Sequence, residues 1–205
     1  MQGDKTGDLP LSEIVKEWLK DKYNKPGNVF LGVVHRIDRP VSGAVIFAKT
    51  GKALSRMNKL FNSKEVEKTY YAAVCAPPPS TSGRLKDHLI RNQKLNKSKA
   101  VGKKEGKSKE AILDYALIGK SDRYYFLSVK PLTGRHHQIR VQLSNMGCPI
   151  KGDVKYGAPR TNKDASIHLH ARKVEFVHPV RKKPLIVEAP LPNDPVWAVL
   201  SENDR

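Results

Sequence analysis

Apolar positions fall three and four apart in two places within the first sixty residues and form two short runs between them. Ile14, Val15, Trp18 and Leu19 share one face at helical spacing. The pattern predicts a helix from Glu13 to about Tyr23, capped by Ser12 and stopped by Asn24-Lys25-Pro26-Gly27, with Trp18 in the core. Residues 1–11 are polar and predict an irregular end. The runs Val33-Val34 and Ala44-Val45-Ile46-Phe47 read as strands on either side of a polar loop that holds one carboxylate, Asp38. Lys52 to Ser63 repeats the helical spacing, with Leu54, Met57, Leu60 and Phe61 inward and Lys52, Arg56 and Lys59 toward solvent.

Further along, Val66 to Val74 is rich in β-branched and aromatic residues and predicts a strand. Tyr70 shares a face with Ala72 and Val74, and Tyr71 takes the other. Pro77-Pro78-Pro79 marks a loop. Ala111–Ile118 and Tyr124–Lys130 predict paired strands joined by Gly119-Lys120-Ser121-Asp122. Ile139, Leu143 and Met146 predict a helix that Gly147 stops, which puts Arg140 on its first turns. Val174–Val177 and Leu185–Val187 read as closing strands of the same sheet, and Pro190, Pro192 and Pro195 then lead the chain out.

A chain of 205 residues with 39% hydrophobic content suits one sizeable core, and no internal repeat suggests a second. The 38 Lys and Arg against 20 Asp and Glu give a net charge of +18. Such an excess favours a polyanionic partner, because each phosphate that is neutralised releases counterions. The charge is densest over residues 81–110, with ten basic and three acidic residues and almost no aromatics. This segment reads as a flexible electrostatic grip on phosphates rather than a base-stacking platform. Cys75 and Cys148 lie far apart, in neither a redox nor a zinc spacing. With no apolar run of about 18 residues and a polar start, the expectation is a cytoplasmic chain with no membrane contact.

The candidate chemistry starts at Asp38. Arg36 and Arg39 flank it, Pro40 stiffens the loop, and Gly43 permits a close approach that a side chain would block. His35 to Gly43 resembles the His-Arg-Leu-Asp-x-x-Thr-Ser-Gly signature of the RluA-type RNA pseudouridine synthases, with Ile37 for Leu and Val41 for Thr. Lys68-x-Tyr70-x-Ala72-x-Val74 resembles the second motif of that family. Thr133-Gly134-Arg135-His136-His137-Gln138-Ile139-Arg140 resembles the third, with His136 at its variable position. Cys148 to Gly157 and His168 to Ala171 are also similar to family segments.

The resemblance implies a single pseudouridine-synthase-like catalytic domain of the α+β class over residues 1–205, with a mixed, mainly antiparallel central sheet flanked by helices and loops. Relatives open with a strand pair containing an Asn-Lys-Pro segment ahead of the region matching residues 1–30. The domain is therefore expected to lack its usual amino-terminal strands. It also implies conversion of specific uridines in ribosomal RNA or tRNA to pseudouridine, with no cofactor, no metal and no protein partner called for; a monomer is the default expectation.

In that chemistry the bond between C1′ and N1 breaks, the base turns, and C1′ is rejoined through C5. The target must leave its stack first. Asp38 either adds to C1′ or takes a proton from the sugar. Tyr70 stacks on the uracil near the carbon that loses a proton, although strand alternation alone leaves Tyr70 and Tyr71 both open. A carboxylate in a closed pocket is penalised by desolvation, and Arg140 is assigned to keep it charged and oriented. The expected RNA contacts are His35, Arg36, Arg39, Lys68, Arg135, His137 and Gln138, with Arg91, Lys94 and Lys97 from the basic segment. Two rivals compete. A non-catalytic RNA-binding protein leaves Asp38, Tyr70 and Arg140 unexplained. A metal-dependent nuclease built from His35, Asp38, His136, His137, His168 and His170 lacks ligand spacing.

Overall fold

The computed structural model describes residues 9–102 and 105–203 and divides the chain into two compact units. The first comprises the described residues up to Arg39, with Val45–Val66 and Phe176–Leu185. Its helix α1 (Leu11–Lys22) has Pro10 at the N-cap, and the Pro10 carbonyl accepts from the Glu13 N–H at 2.9 Å. Ser12 is buried inside the first turn, two residues past the N-cap position that Pro10 holds, which corrects the expected cap. The extended backbone that proline enforces does the work instead. Leu19 is the buried member of the stripe, whereas Trp18 is 53% exposed with the Lys22 ammonium 4.4 Å from its ring centroid. Trp18 is thus not core. It lies about 100° around the helix from Leu19, past the edge that neighbours cover.

Strands β1 (Gly32–Val33) and β3 (Phe47–Ala48) pair antiparallel in this unit. The intervening β2 (Ser42–Gly43) belongs to the second. Helix α2 (Gly51–Asn62) follows, with Thr50 Oγ1 accepting from the Ala53 N–H at 3.1 Å and Met57 buried. Leu54 packs so close to Gly32 that a Cβ there would meet its Cδ2 at 2.9 Å.

The second unit comprises Pro40–Ala44, Glu67–Glu175 and the described residues from Ile186 onward. Its strands are β4 (Glu67–Val74), β5 (Ser82–Asn92), β6 (Lys97–Val101), β7 (Lys109–Lys120) and β8 (Tyr125–Pro131). Helix α3 (Gln138–Asn145), β9 (Leu169–Val177), β10 (Pro184–Glu188) and α4 (Pro195–Asn203) complete it, β9 and β10 each reaching past its bounds at one end. The sheet order is β10-β9-β4-β8-β7-β5-β6. β4 runs antiparallel to β8 and β9, β7 to β5 and β8, and β5 to β6, while β2 is parallel to β9.

The two faces of this sheet have different covers. Ala73, Phe126, Trp197 and Leu200 form a cluster under α4, with Tyr71 packed against it. Leu89, Ala111, Val141 and Tyr156 form another under α3. Tyr70 is paired with Val129 and Val129 with Tyr115, the position two strand pairs along from Ala111 on the same face. Tyr70 therefore lies on the face that carries α3, and Tyr71 on the face that carries α4.

Two expectations change. Within the basic segment, which gave no element in the sequence, residues 82–101 form a β5–β6 hairpin with Leu89 and Ser98 buried. Leu85, Leu89, Ala111 and Leu113 supply the inward alternation, which the density of lysines between them hides in the sequence. Lys103 and Lys104 lie outside the described residues. The chain also does not simply run out after its prolines, because Pro195 opens α4 and the Asp194 carboxylate accepts from the Val196 N–H at 2.8 Å. A proline in the first turn of a helix sacrifices no intrahelical bond.

Candidate active site

Asp38 belongs to the first unit, half-buried in the irregular stretch that follows β1. Three residues before it, His35 stacks on Phe61 with ring centroids 5.0 Å apart. His35 Nε2 accepts from the Ile46 N–H at 3.0 Å. His35 thus braces the loop across to its outgoing limb, a task the sequence reading did not give it. Arg36 and Arg39 are exposed on either side of the acid. Val33, Val34, His35 and Arg36 line an open cavity of about 280 Å³.

Two residues beyond Asp38 the chain enters the second unit, where it is tied to the sheet. The Ile167 N–H donates to Pro40 O and the Ala44 N–H to Ala171 O, both at 2.9 Å. Ser42 Oγ lies 2.8 Å from His170 Nδ1, and His170 Nε2 lies 3.3 Å from Ala189 O. This network fixes the neutral tautomer that donates from Nε2 and accepts from Ser42, and burial holds the His170 pKa below its ordinary value. Gly43 has φ +115, and a Cβ there would meet Ala171 O at 2.3 Å. No other residue fits this crossing without moving the backbone.

Arg140 sits in the first turn of α3, 6% exposed. Its Nε and Nη2 donate to the two carboxylate oxygens of Asp153 at 2.7 and 2.8 Å. Asp153 is 1% exposed. Planar bidentate pairing of this kind fixes direction as well as charge. The guanidinium also lies over the Tyr156 ring, 5.0 Å from its centroid.

The turn leading into α3 is braced by Gln138. Its Oε1 accepts from Thr133 Oγ1 at 2.8 Å and from the Arg135 N–H at 2.9 Å, and its Nε2 donates to Ile112 O at 3.0 Å. At 4% exposure Gln138 is a structural staple, where the sequence reading expected an RNA contact. His137 is likewise buried, in the left-handed region at φ 54, a conformation costly for a non-glycine residue. Its Nδ1 is 2.8 Å from the Tyr156 hydroxyl, and its ring stacks on His136 at 3.7 Å. Burial, with Arg140 and neighbouring cations adding to it, lowers the His137 pKa to about 3. It is a neutral hydrogen-bond partner for the tyrosine rather than a cation for a phosphate.

Arg135 is exposed and donates from Nε to Glu110 O at 2.8 Å. Arg91, Lys94 and Lys97 are exposed on the β5–β6 hairpin. Lys68 is half-buried on β4, where desolvation lowers its pKa. Tyr70, two positions along, is half-buried. The second unit thus gathers Tyr70 and Arg140 on one face of its sheet, while Asp38 is carried by the first.

Asp153, Tyr156 and Ser42 carry no role in the sequence reading, and His170 enters it only as a ligand in the rival metal reading. The segment Gly152-Asp153-Val154-Lys155-Tyr156-Gly157 held the signal, a carboxylate between glycines downstream of a buried arginine. Among the described residues no group of three or more His, Cys, Asp or Glu side chains could hold a metal ion. No helix among them is long and apolar enough to cross a membrane.

The sequence model of a family described as RNA pseudouridylate synthase matches residues 3–145. The ribosomal large subunit pseudouridine synthase C of Buchnera aphidicola subsp. Baizongia pistaciae is 33% identical over 174 residues, covering 82% of this chain and 55% of that protein. The tRNA pseudouridine synthase C of Vibrio cholerae is 29% identical over 210 residues, 93% of this chain and 83% of that protein. The chain spans about half the length of several of the curated relatives it matches. Human RNA pseudouridylate synthase domain containing 4 shares the fold, with a TM-score of 0.76 at 23% identity over 91% of this chain and 81% of that one.

Proposed function

Because this chain belongs to the RNA pseudouridylate synthase family, we propose that it is an isomerase converting specific uridines in structured RNA to pseudouridine. The observation that carries the reading is that the family match spans Asp38, Tyr70 and Arg140 together, each within its own motif. Relatives named for ribosomal large subunit and for tRNA make those two RNA classes the substrates to test first. The net charge of +18 suits either.

The C1′–N1 bond breaks, the uracil turns, and a C1′–C5 bond forms. C5 gives up its proton and N1 gains one, so nothing is oxidised or reduced and no cofactor is called for. Asp38 is the essential group, acting on C1′ or on a sugar proton. Tyr70 stacks on the flipped base, and Arg140 brings positive charge to the reaction. Arg36, Arg39, Lys68, Arg135, Arg91, Lys94 and Lys97 supply cations for the RNA backbone. The enzyme works as a cytoplasmic monomer.

Tritium release from RNA labelled at uridine C5 tests the reading. The wild-type protein should release tritium, and Asp38→Asn should release none while still binding the RNA. Release by Asp38→Asn, or none from the wild type on total RNA, overturns it.

A further inference from the structure

Tyr156, which the proposed chemistry does not use, is the point where the basic hairpin and Arg140 meet. It is 6% exposed. Its hydroxyl accepts from the Ser98 N–H of β6 at 2.9 Å and is hydrogen-bonded to His137 Nδ1 at 2.8 Å. Its ring lies under the Arg140 guanidinium at 5.0 Å, with the Lys97 ammonium 5.3 Å from the centroid. Ser144 Oγ of α3 donates to its carbonyl at 2.6 Å.

Bonds around it tie the same strand down further. Ser98 Oγ is 2.9 Å from His136 Nδ1, His136 Nε2 is 3.1 Å from Asn96 Oδ1, and Lys155 Nζ donates to Asn96 O at 3.2 Å. A phenylalanine would fill the same core volume. What it could not do is accept the Ser98 N–H, the bond that ties β6 to the segment after α3.

We propose that Tyr156 is a positioning residue with two separable functions. Its hydroxyl holds the β5–β6 hairpin where Arg91, Lys94 and Lys97 meet RNA phosphates, and its ring fixes the direction of the Arg140 guanidinium. The proposal rests on the pseudouridine synthase reading. It predicts that hydroxyl and ring act on different kinetic parameters, the first on RNA capture and the second on turnover.

Tyr156→Phe removes only the hydroxyl, and Tyr156→Leu removes the ring as well at similar volume. Tyr156→Phe should raise the KM for RNA about fivefold, more than it changes kcat, as expected for one lost hydrogen bond. Tyr156→Leu should in addition lower kcat about tenfold, as loss of an interaction made in the transition state does. Ser98 amide hydrogen exchange, which needs no activity, should accelerate in both variants. Two results overturn the proposal: unchanged Ser98 exchange and KM in Tyr156→Phe, or two variants that lose folded protein while kcat and KM per folded molecule stay put. Wild-type protein inactive on RNA would instead fell the reading beneath it, with Ser98 exchange still deciding the role of the hydroxyl.

Discussion

The loop that carries Asp38 is pinned at its limbs, by His35 to the Ile46 N–H on one side and by Pro40 and Ala44 to Ile167 and Ala171 on the other. Between those pins it has no regular ladder, and both flanking arginines face solvent. The turn that carries Arg140 is pinned throughout. Gln138 satisfies three groups of its own neighbourhood, His137 is held by Tyr156, and the guanidinium is locked to Asp153. Both regions hold motif residues, yet one is fastened only at its ends and the other along its whole length. Segments that engage ligands come from the less stable end of a fold, and the shell that orients them from the more stable end.

Removing Asp153 should break the rigid side of this contrast. Asp153→Ala strands a buried guanidinium, which typically costs about 3–5 kcal/mol. Asp38→Asn, in a half-buried loop, should cost under about 1 kcal/mol. Urea denaturation of the two variants beside the wild type reads the difference. Equal losses would mean that the Arg140 turn is no more preorganised than the acid loop.

Acid should act on the rigid side next. In the folded chain His137 has its pKa lowered to about 3, first by burial and then by Arg140 and nearby cations, from the ordinary 6.5. Between those values the unfolded chain binds a proton that the folded chain refuses. Stability is therefore complete above pH 6.5 and falls as the pH drops toward 3, by up to about 1.4 kcal/mol per pH unit for one proton. His168 and His170, also lowered mainly by burial, add losses of the same sign. Denaturation midpoints between pH 7 and pH 4 should fall less steeply in His137→Gln than in the wild type. Parallel slopes would show that His137 is protonated in the folded state.

The division was only partly readable beforehand. Periodicity located α2, β4, β7, β8 and α3 because each combines a regular apolar stripe with a clear stop, such as Gly147 after α3. It misplaced Trp18, since phase within a stripe says which residues share a face and not how far a neighbour covers that face. The hairpin and α4 were hidden by lysines and prolines whose local signal outweighed the inward positions beneath them. At the candidate site, residue type misled. His137 and Gln138 carry donors and acceptors suited to RNA, but only the fold shows those atoms already spent on Tyr156, Thr133, Arg135 and Ile112. Asp153 needed the fold as well, because thirteen residues separate it from Arg140.

The mildest test lies on the hairpin, which joins the two behaviours: a braced root and an exposed tip. The tip turn is made by its neighbours, with the Leu95 N–H on Asn92 Oδ1 at 3.1 Å and the Asn96 N–H on Gln93 O at 3.2 Å, and Asn96 takes φ 44. Asparagine tolerates that left-handed conformation, so the turn does not need the Lys94 side chain. Lys94→Ala should change stability by no more than about 0.5 kcal/mol. If its ammonium neutralises one phosphate, the slope of log K for RNA against log salt should shrink by about 0.7–0.9. Filter binding from low to moderate salt measures that slope, and melting checks the fold. An unchanged slope would leave Lys94 a solubilising charge and move the grip toward Arg91 and Lys97, nearer the root that Tyr156 holds.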